Sequence, residues 1–221
     1  MAGLRATTIA AALVTLVSVP ATAQHFGLLA GPTFSTLKGS FVDGSTGSEV
    51  GIIFQFTFDT PLTRNVSLAT GLSFVQKGGA DLELSPGGQA RGFRTMYLQF
   101  PLLIRPEFAI SENQWFIAPF AGPAIGFGMS CDVKPADRFE FEDSCDDTTP
   151  GGEQIGIELS VPIGFNIWKR FPGGSRFQFE VRYEAGFTNV LGEASDLGQS
   201  ARNRVFTAMF GFAFPLYEIV P

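Results

Sequence analysis

Ile155-Gly156-Ile157-Glu158-Leu159-Ser160-Val161-Pro162-Ile163-Gly164-Phe165-Asn166-Ile167 alternates apolar residues with small or polar ones, and Phe177-Gln178-Phe179-Glu180-Val181-Arg182-Tyr183-Glu184-Ala185-Gly186-Phe187 repeats the pattern shortly afterwards. A period of two belongs to a β-strand, whose successive side chains point to opposite faces. Both segments therefore read as strands with one apolar and one polar face. The same alternation occurs earlier, with Val50, Ile52, Phe54, Phe56 and Phe58 against Glu49, Gly51, Gln55 and Thr57. It occurs again where Met96, Leu98, Phe100, Leu102 and Ile104 oppose Thr95, Tyr97, Gln99 and Arg105.

Extended along the chain, this reading gives eight strands, at about 27–37, 48–58, 66–77, 93–105, 115–129, 154–168, 176–188 and 204–216. The first and fifth are ambiguous, because Gly, Ala and Pro populate both of their faces. Each is longer than the roughly 5 to 6 residues usual in globular sheets and reaches the roughly 9 to 11 that a tilted membrane-crossing strand needs. The connections alternate. Those at 38–47, 78–92, 130–153 and 189–203 are long, and those at 59–65, 106–114 and 169–175 are short. In an up-and-down meander this puts long loops at one end and tight turns at the other, the asymmetry of transmembrane β-barrels.

Alternation does not say which face is inside. A lipocalin-like barrel or a β-sandwich would enclose the apolar face; a membrane barrel would turn it to lipid. Strand length favours the membrane, as does the mixture of bulky charges and small residues on the polar face, since a narrow eight-stranded lumen has to be filled by side chains.

Composition sets the outer bounds. The 221 residues include 24 Phe and 26 Gly, are 45% hydrophobic and only 16% charged, which excludes disorder and collagen-like repeats. A net charge of -6 without a basic cluster excludes a nucleic-acid partner. At the N-terminus, Arg5, the apolar stretch Ile9 to Val19 and the small-x-small site Ala21-Thr22-Ala23 read as a secretory signal peptide. That assigns residues 1–23 to the signal and 24–221 to one barrel domain. The alternative, an N-terminal membrane anchor, has too short an apolar run to span ~30 Å of hydrocarbon.

The run Tyr97-Leu98-Gln99-Phe100-Pro101-Leu102-Leu103-Ile104-Arg105, then Phe120-Ala121-Gly122-Pro123, and later Arg182-Tyr183-Glu184-Ala185-Gly186-Phe187-Thr188-Asn189, resembles the PorT-like outer-membrane β-barrel family. The opening Gly31-Pro32-Thr33-Phe34-Ser35-Thr36-Leu37 is similar to its first strand, so the resemblance spans nearly all of the mature chain. It implies an all-β fold, an eight-stranded antiparallel up-and-down transmembrane barrel of OmpA/OmpX type, in a Gram-negative outer membrane. It implies little about activity; for a barrel of that kind the expected surroundings are outer-membrane lipid and lipopolysaccharide, and the expected partners are the barrel-assembly machinery during insertion and an unidentified envelope protein. The chain ends Phe214-Pro215-Leu216-Tyr217-Glu218-Ile219-Val220-Pro221. It departs from the usual terminal aromatic, which leaves the assembly signal to Phe210-Gly211-Phe212-Ala213-Phe214.

Candidate chemistry is sparse. The mature chain holds one histidine, His25, beside the cleavage site. A base on a frayed terminus could not serve a Ser-His nucleophile, so no catalytic residue, cofactor or bound metal is assigned. The polar faces bring forward Gln99, Arg105, Glu158, Glu180, Arg182 and Glu184 as a lumen network. Two readings stay open: a hydrogen-bonded plug, or a carboxylate pair for proton transfer. Cys131 and Cys145 suit one disulfide in an exported chain. The loop they bracket and its flank carry Asp132, Asp137, Glu140, Glu142, Asp143, Asp146 and Asp147, which is either a solvated acidic loop or a calcium-type cation site. The primary expectation is a non-enzymatic outer-membrane barrel with a plugged lumen, acting through its external loops. A narrow channel for ions or small solutes and a soluble periplasmic lipid-binding barrel are the alternatives.

Overall fold

The computed structural model describes residues 24–40, 47–84, 88–111, 114–135, 142–143, 156–190 and 200–216. Its strands are β1 (His25–Lys38), β2 (Glu49–Thr63), β3 (Val66–Leu84), β4 (Gly88–Pro106), β5 (Phe108–Ser111), β6 (Trp115–Ala121), β7 (Ala124–Pro135), β8 (Glu142–Asp143), β9 (Ile157–Arg170), β10 (Arg176–Gly186) and β11 (Arg202–Pro215). Every pairing is antiparallel, and β1 pairs with both β2 and β11, so the sheet closes into a barrel. Eight staves make up the wall. β6 and β7 form one of them: Ile104 faces Ala121 and Pro101 faces Ala124, so the register with β4 is unchanged across Gly122 and Pro123.

Proline accounts for that interruption. Pro101, Pro123 and Pro162 meet at this level on three neighbouring staves, and proline has no N–H to give the ladder. Leu102 N–H to the Pro123 carbonyl (2.9 Å) and Gly122 N–H to the Pro162 carbonyl (3.3 Å) hold the seam. β5 continues β4 in the same way past Pro106 and pairs with β6.

The strands are strongly tilted. Following partners once round the barrel from Phe26, through Phe58, Thr70, Leu102, Pro123, Val161, Ala185 and Arg204, leads back to β1 at Thr36. A displacement of about ten residues over eight strands fits the usual barrel tilt of roughly 35–45°, which leaves an interior just wide enough for side chains.

The question left open by alternation is answered by burial. Ile157, Leu159, Ile163 and Phe165 face outward, Ile157 with 58% of its surface exposed, whereas Glu158 is 1% exposed and Asn166 likewise. Val50, Ile52, Phe54 and Phe56 lie outside, while Gln55, Thr57 and Asp59 lie inside. The ambiguous fifth stave resolves with Ala118, Phe120 and Ala124 inward and Phe127 and Met129 outward. This inverts the lipid-enclosing soluble barrel: an interior lined by charged groups does not suit an apolar ligand, and the Phe-rich band needs an apolar medium around it.

Three expectations are corrected. The third and fourth strands run on as a long hairpin through much of the expected loop 78–92, with Gly78 opposite Arg94 and Leu84 opposite Gly88. The glycines that read as loop signals are accommodated there because the hairpin partner satisfies their backbone groups. Asp59, assigned to a turn, belongs to β2. His25 is not frayed: barrel closure pairs it with Asp59 on one side and Pro215 on the other, and it is 9% exposed. At the opposite end from the loops, β9 and β10 are joined by Phe171 to Ser175, where Gly173 and Gly174 take φ of 88° and 84°. Glycine adopts that left-handed backbone without steric cost, and the Phe171 N–H to Ser175 carbonyl bond (2.8 Å) closes the turn.

Candidate functional site

Inward parity, set by the period of two, gathers polar side chains from seven of the eight staves in the lumen. All six residues expected there, Gln99, Arg105, Glu158, Glu180, Arg182 and Glu184, are buried. They fall into two groups.

The group nearer the loops centres on Lys77 of β3. Its ammonium donates to Glu158 Oε2 (2.7 Å) and to Glu184 Oε1. Gln99 Nε2 donates to the same Glu184 oxygen (2.7 Å) and to Ser160 Oγ (3.2 Å), and Asn203 Nδ2 donates to Glu158 Oε1 (3.0 Å). Lys77 also lies 5.2 Å from the centre of the Tyr97 ring, close enough for a cation–π attraction.

The group nearer the turns centres on Glu180. Arg182 places Nε (3.1 Å) and Nη2 (2.5 Å) on Glu180 Oε1, while Arg105 Nη2 (2.8 Å) and Asn166 Nδ2 (3.3 Å) approach Oε2. The other end of the Arg105 fork reaches Asp59 Oδ1 at 3.1 Å. Phe120 lies against both guanidiniums, its ring centre 5.3 Å from Arg105 and 5.6 Å from Arg182. Taking charges out of water is costly, and the geometry here offsets that cost by pairing each charge and adding neutral donors to the carboxylates.

Apolar side chains also face the lumen. Leu29, Ile53, Val75, Tyr97 and Met209 form one buried cluster, and Ala69, Leu103 and Phe120 a second. Glycine makes room among the charges. A Cβ on Gly186 would stand 2.7 Å from Glu158 Oε1, and one on Gly126 would meet Tyr97 at 3.4 Å.

Lys77, Asp59, Asn166, Gln178 and Asn203 extend the network beyond the sequence-based set. A shortage of cations was the available signal: three expected carboxylates faced only two guanidiniums, and Lys77 shares the parity of Ser67, Ser73 and Val75; Asp59 then makes four carboxylates to three cations in the network. Cys131 is buried on β7; Cys145 lies outside the described residues. Of the acidic loop, Asp132 pairs in register with Asp143 and Val133 with Glu142 across β7 and β8. Asp137, Glu140, Asp146 and Asp147 lie outside the described residues.

His25 and Ser67 both line the turn-side mouth, but the Ser67 hydroxyl donates to Glu107 Oε1 at 2.9 Å. Glu107 thus occupies the position that a general base would take on that hydroxyl.

A family model described as "Outer membrane protein beta-barrel domain" matches residues 22–192. Crystal structures similar to this chain include Ail, the attachment invasion locus protein of Yersinia pestis, at 12% identity over 87% of this chain and 99% of that one, with a TM-score of 0.41. Neisserial surface protein A is similar at 12% identity, over 86% and 97%, with a TM-score of 0.44. The outer membrane protease OmpT of Escherichia coli is similar at 10% identity, over 90% and 99%, with a TM-score of 0.49. No curated protein matches the sequence.

Proposed function

We propose that this chain, which belongs to the outer membrane protein β-barrel domain family, is a non-enzymatic barrel whose lumen is plugged by its own side chains and whose external loops act in envelope integrity or partner binding. Within that family, the motifs around Tyr97 to Arg105 and Arg182 to Asn189 favour the PorT-like branch. Export through a signal peptide cleaved after Ala23, insertion by the barrel-assembly machinery and contact with lipopolysaccharide and an envelope protein complete the reading.

The observation that carries the plug is the pair of buried networks. Lys77 bridges Glu158 and Glu184, and Arg105 ties Asp59 to Glu180, so staves on opposite parts of the wall are joined across the lumen. A narrow channel is the second reading. It is favoured by the buried polar atoms without a protein hydrogen-bond partner, among them Gln99 Oε1, Asn166 Oδ1 and Arg182 Nη1, which would suit a thread of water. Planar-bilayer recording separates the two. The plug predicts no discrete openings in the wild type and openings in Arg182→Ala; stable wild-type channels would overturn it.

A further inference from the structure

The turn-side mouth of the barrel opens into a cavity of about 240 Å³, room for several waters at ~30 Å³ each. Three guanidiniums line it, those of Arg64, Arg170 and Arg176. Its two carboxylates have nearer hydrogen-bond donors, Asp59 in Arg105 (3.1 Å) and Glu107 in Ser67 (2.9 Å), and they attract Arg176 electrostatically without reaching ion-pair contact. No carboxylate among the described residues comes within ion-pair distance of Arg64, Arg170 or Arg176.

Two of these cations are placed where repulsion is strongest. Arg170 and Arg176 are direct partners in the ladder between β9 and β10, and like charges directly opposite one another destabilise a sheet. Arg176 is also fixed. Its guanidinium stacks 4.1 Å from the centre of the buried Trp168 ring, and Arg170 lies 5.5 Å from the same ring. Arg176 Nε is buried with no hydrogen-bond partner. A preorganised pair of forks on an aromatic floor, in a cavity whose three guanidiniums outnumber its two carboxylates and touch neither, has the chemistry of an oxyanion receptor: guanidinium matches phosphate or carboxylate through two parallel N–H bonds.

We propose that the turn-side mouth is an oxyanion-binding vestibule, in which Arg170 and Arg176, assisted by Arg64, hold the phosphate or carboxylate group of a solute on the periplasmic side. The bound anion screens the Arg170–Arg176 repulsion. The Arg105–Asp59–Glu180 network lies behind the site, so the vestibule is a receptor at the barrel's inner mouth, and its binding role is independent of what the external loops do.

The test uses the full mature chain in nanodiscs of zwitterionic lipid, with inorganic phosphate as probe and chloride at matched ionic strength as control. Phosphate should raise the melting temperature saturably, chloride should not, and Arg170→Gln/Arg176→Gln should weaken the phosphate response at least tenfold. Arg64→Gln, in the exposed turn, should weaken it several-fold while keeping the gel mobility of the folded barrel, which guards against a misfolded double variant. Equal effects of phosphate and chloride, or an undiminished response in both variants, would overturn the site. Protection by anionic-lipid nanodiscs alone, with none from free phosphate, would assign these arginines to lipid headgroups and overturn the solute receptor.

Discussion

Replacing Lys77 by Met tests whether the lumen is held by charge pairing or merely filled. Lys77 has no exposed side-chain surface and is the cation to which both Glu158 and Glu184 are bonded. Methionine keeps the length and volume of the stem but leaves two carboxylates facing one another, with Asn203, Gln99 and the Ser160 hydroxyl as remaining donors. Removing one partner of a buried ion pair costs roughly 3–5 kcal/mol, because the other charge stays buried and uncompensated. Here the removed cation serves two acids, so the upper part of that range is expected. Reversible urea unfolding in lipid vesicles, followed by Trp fluorescence and heat-modifiable gel mobility, measures the loss. The cycle with Glu184→Gln sharpens it: the double variant has one carboxylate where Lys77→Met has two, so it should recover about 1–3 kcal/mol through coupling of the two sites. A Lys77→Met loss below about 1 kcal/mol, or full additivity in the cycle, would refute the reasoning, since water would then be solvating the carboxylates as well as the ammonium does.

Three further outcomes follow from the same geometry. Phe54, outward on β2 and half exposed, should tolerate Arg poorly, with a cost of about 2–4 kcal/mol near the bilayer midplane; a neutral result in vesicle unfolding would remove the lipid from that face. Gly186→Ala puts a Cβ 2.7 Å from Glu158 Oε1 and 3.1 Å from the Asn203 carbonyl, and because Lys77 and Asn203 hold that carboxylate in place, overpacking should cost roughly 1–3 kcal/mol in the same assay. Cys131→Ser/Cys145→Ser should lower stability by about 3 kcal/mol if the expected disulfide closes that loop, and wild type should gain a gel-mobility shift on reduction that the variant lacks.

The strands were readable wherever a bulky apolar face met a polar one, and unreadable where that contrast failed. β9 and β10 could be placed from sequence because Ile157, Leu159 and Ile163 alternate with Glu158, Ser160 and Asn166. The β6–β7 stave was legible as a strand at 115–129, but its faces were not: small residues and Pro119, Pro123 and Ala121 stand on the outer face, and Ala118, Ala124 and Gly126 on the inner. The hairpin extensions of β3 and β4 were hidden for a related reason, since Gly78, Gly79 and Gly92 carry no side chain from which a face can be read. Only the partner strand, through Gly78 opposite Arg94 and Gly79 opposite Phe93, makes that segment extended.

The interior shows why a site can be half legible. Parity along one strand is local and decided that Glu158, Glu180, Arg182 and Glu184 share a face. Which of them meet is not local, because each contact depends on shear. Lys77 reaches Glu158 across 81 positions of sequence and Glu184 across 107, and the tilt of the staves brings those levels together. With the tilt fixed by closure of β1 on β11, the same parity rule that turns Phe to lipid turns an unbalanced set of charges inward, and the lumen is then stable only with a cation such as Lys77 between its carboxylates. The Phe-rich exterior and the ion-paired interior are therefore one consequence of a period-two sequence wrapped at one shear. A substitution that slipped a single stave by one residue would expose every charge on it to lipid and bury every phenylalanine.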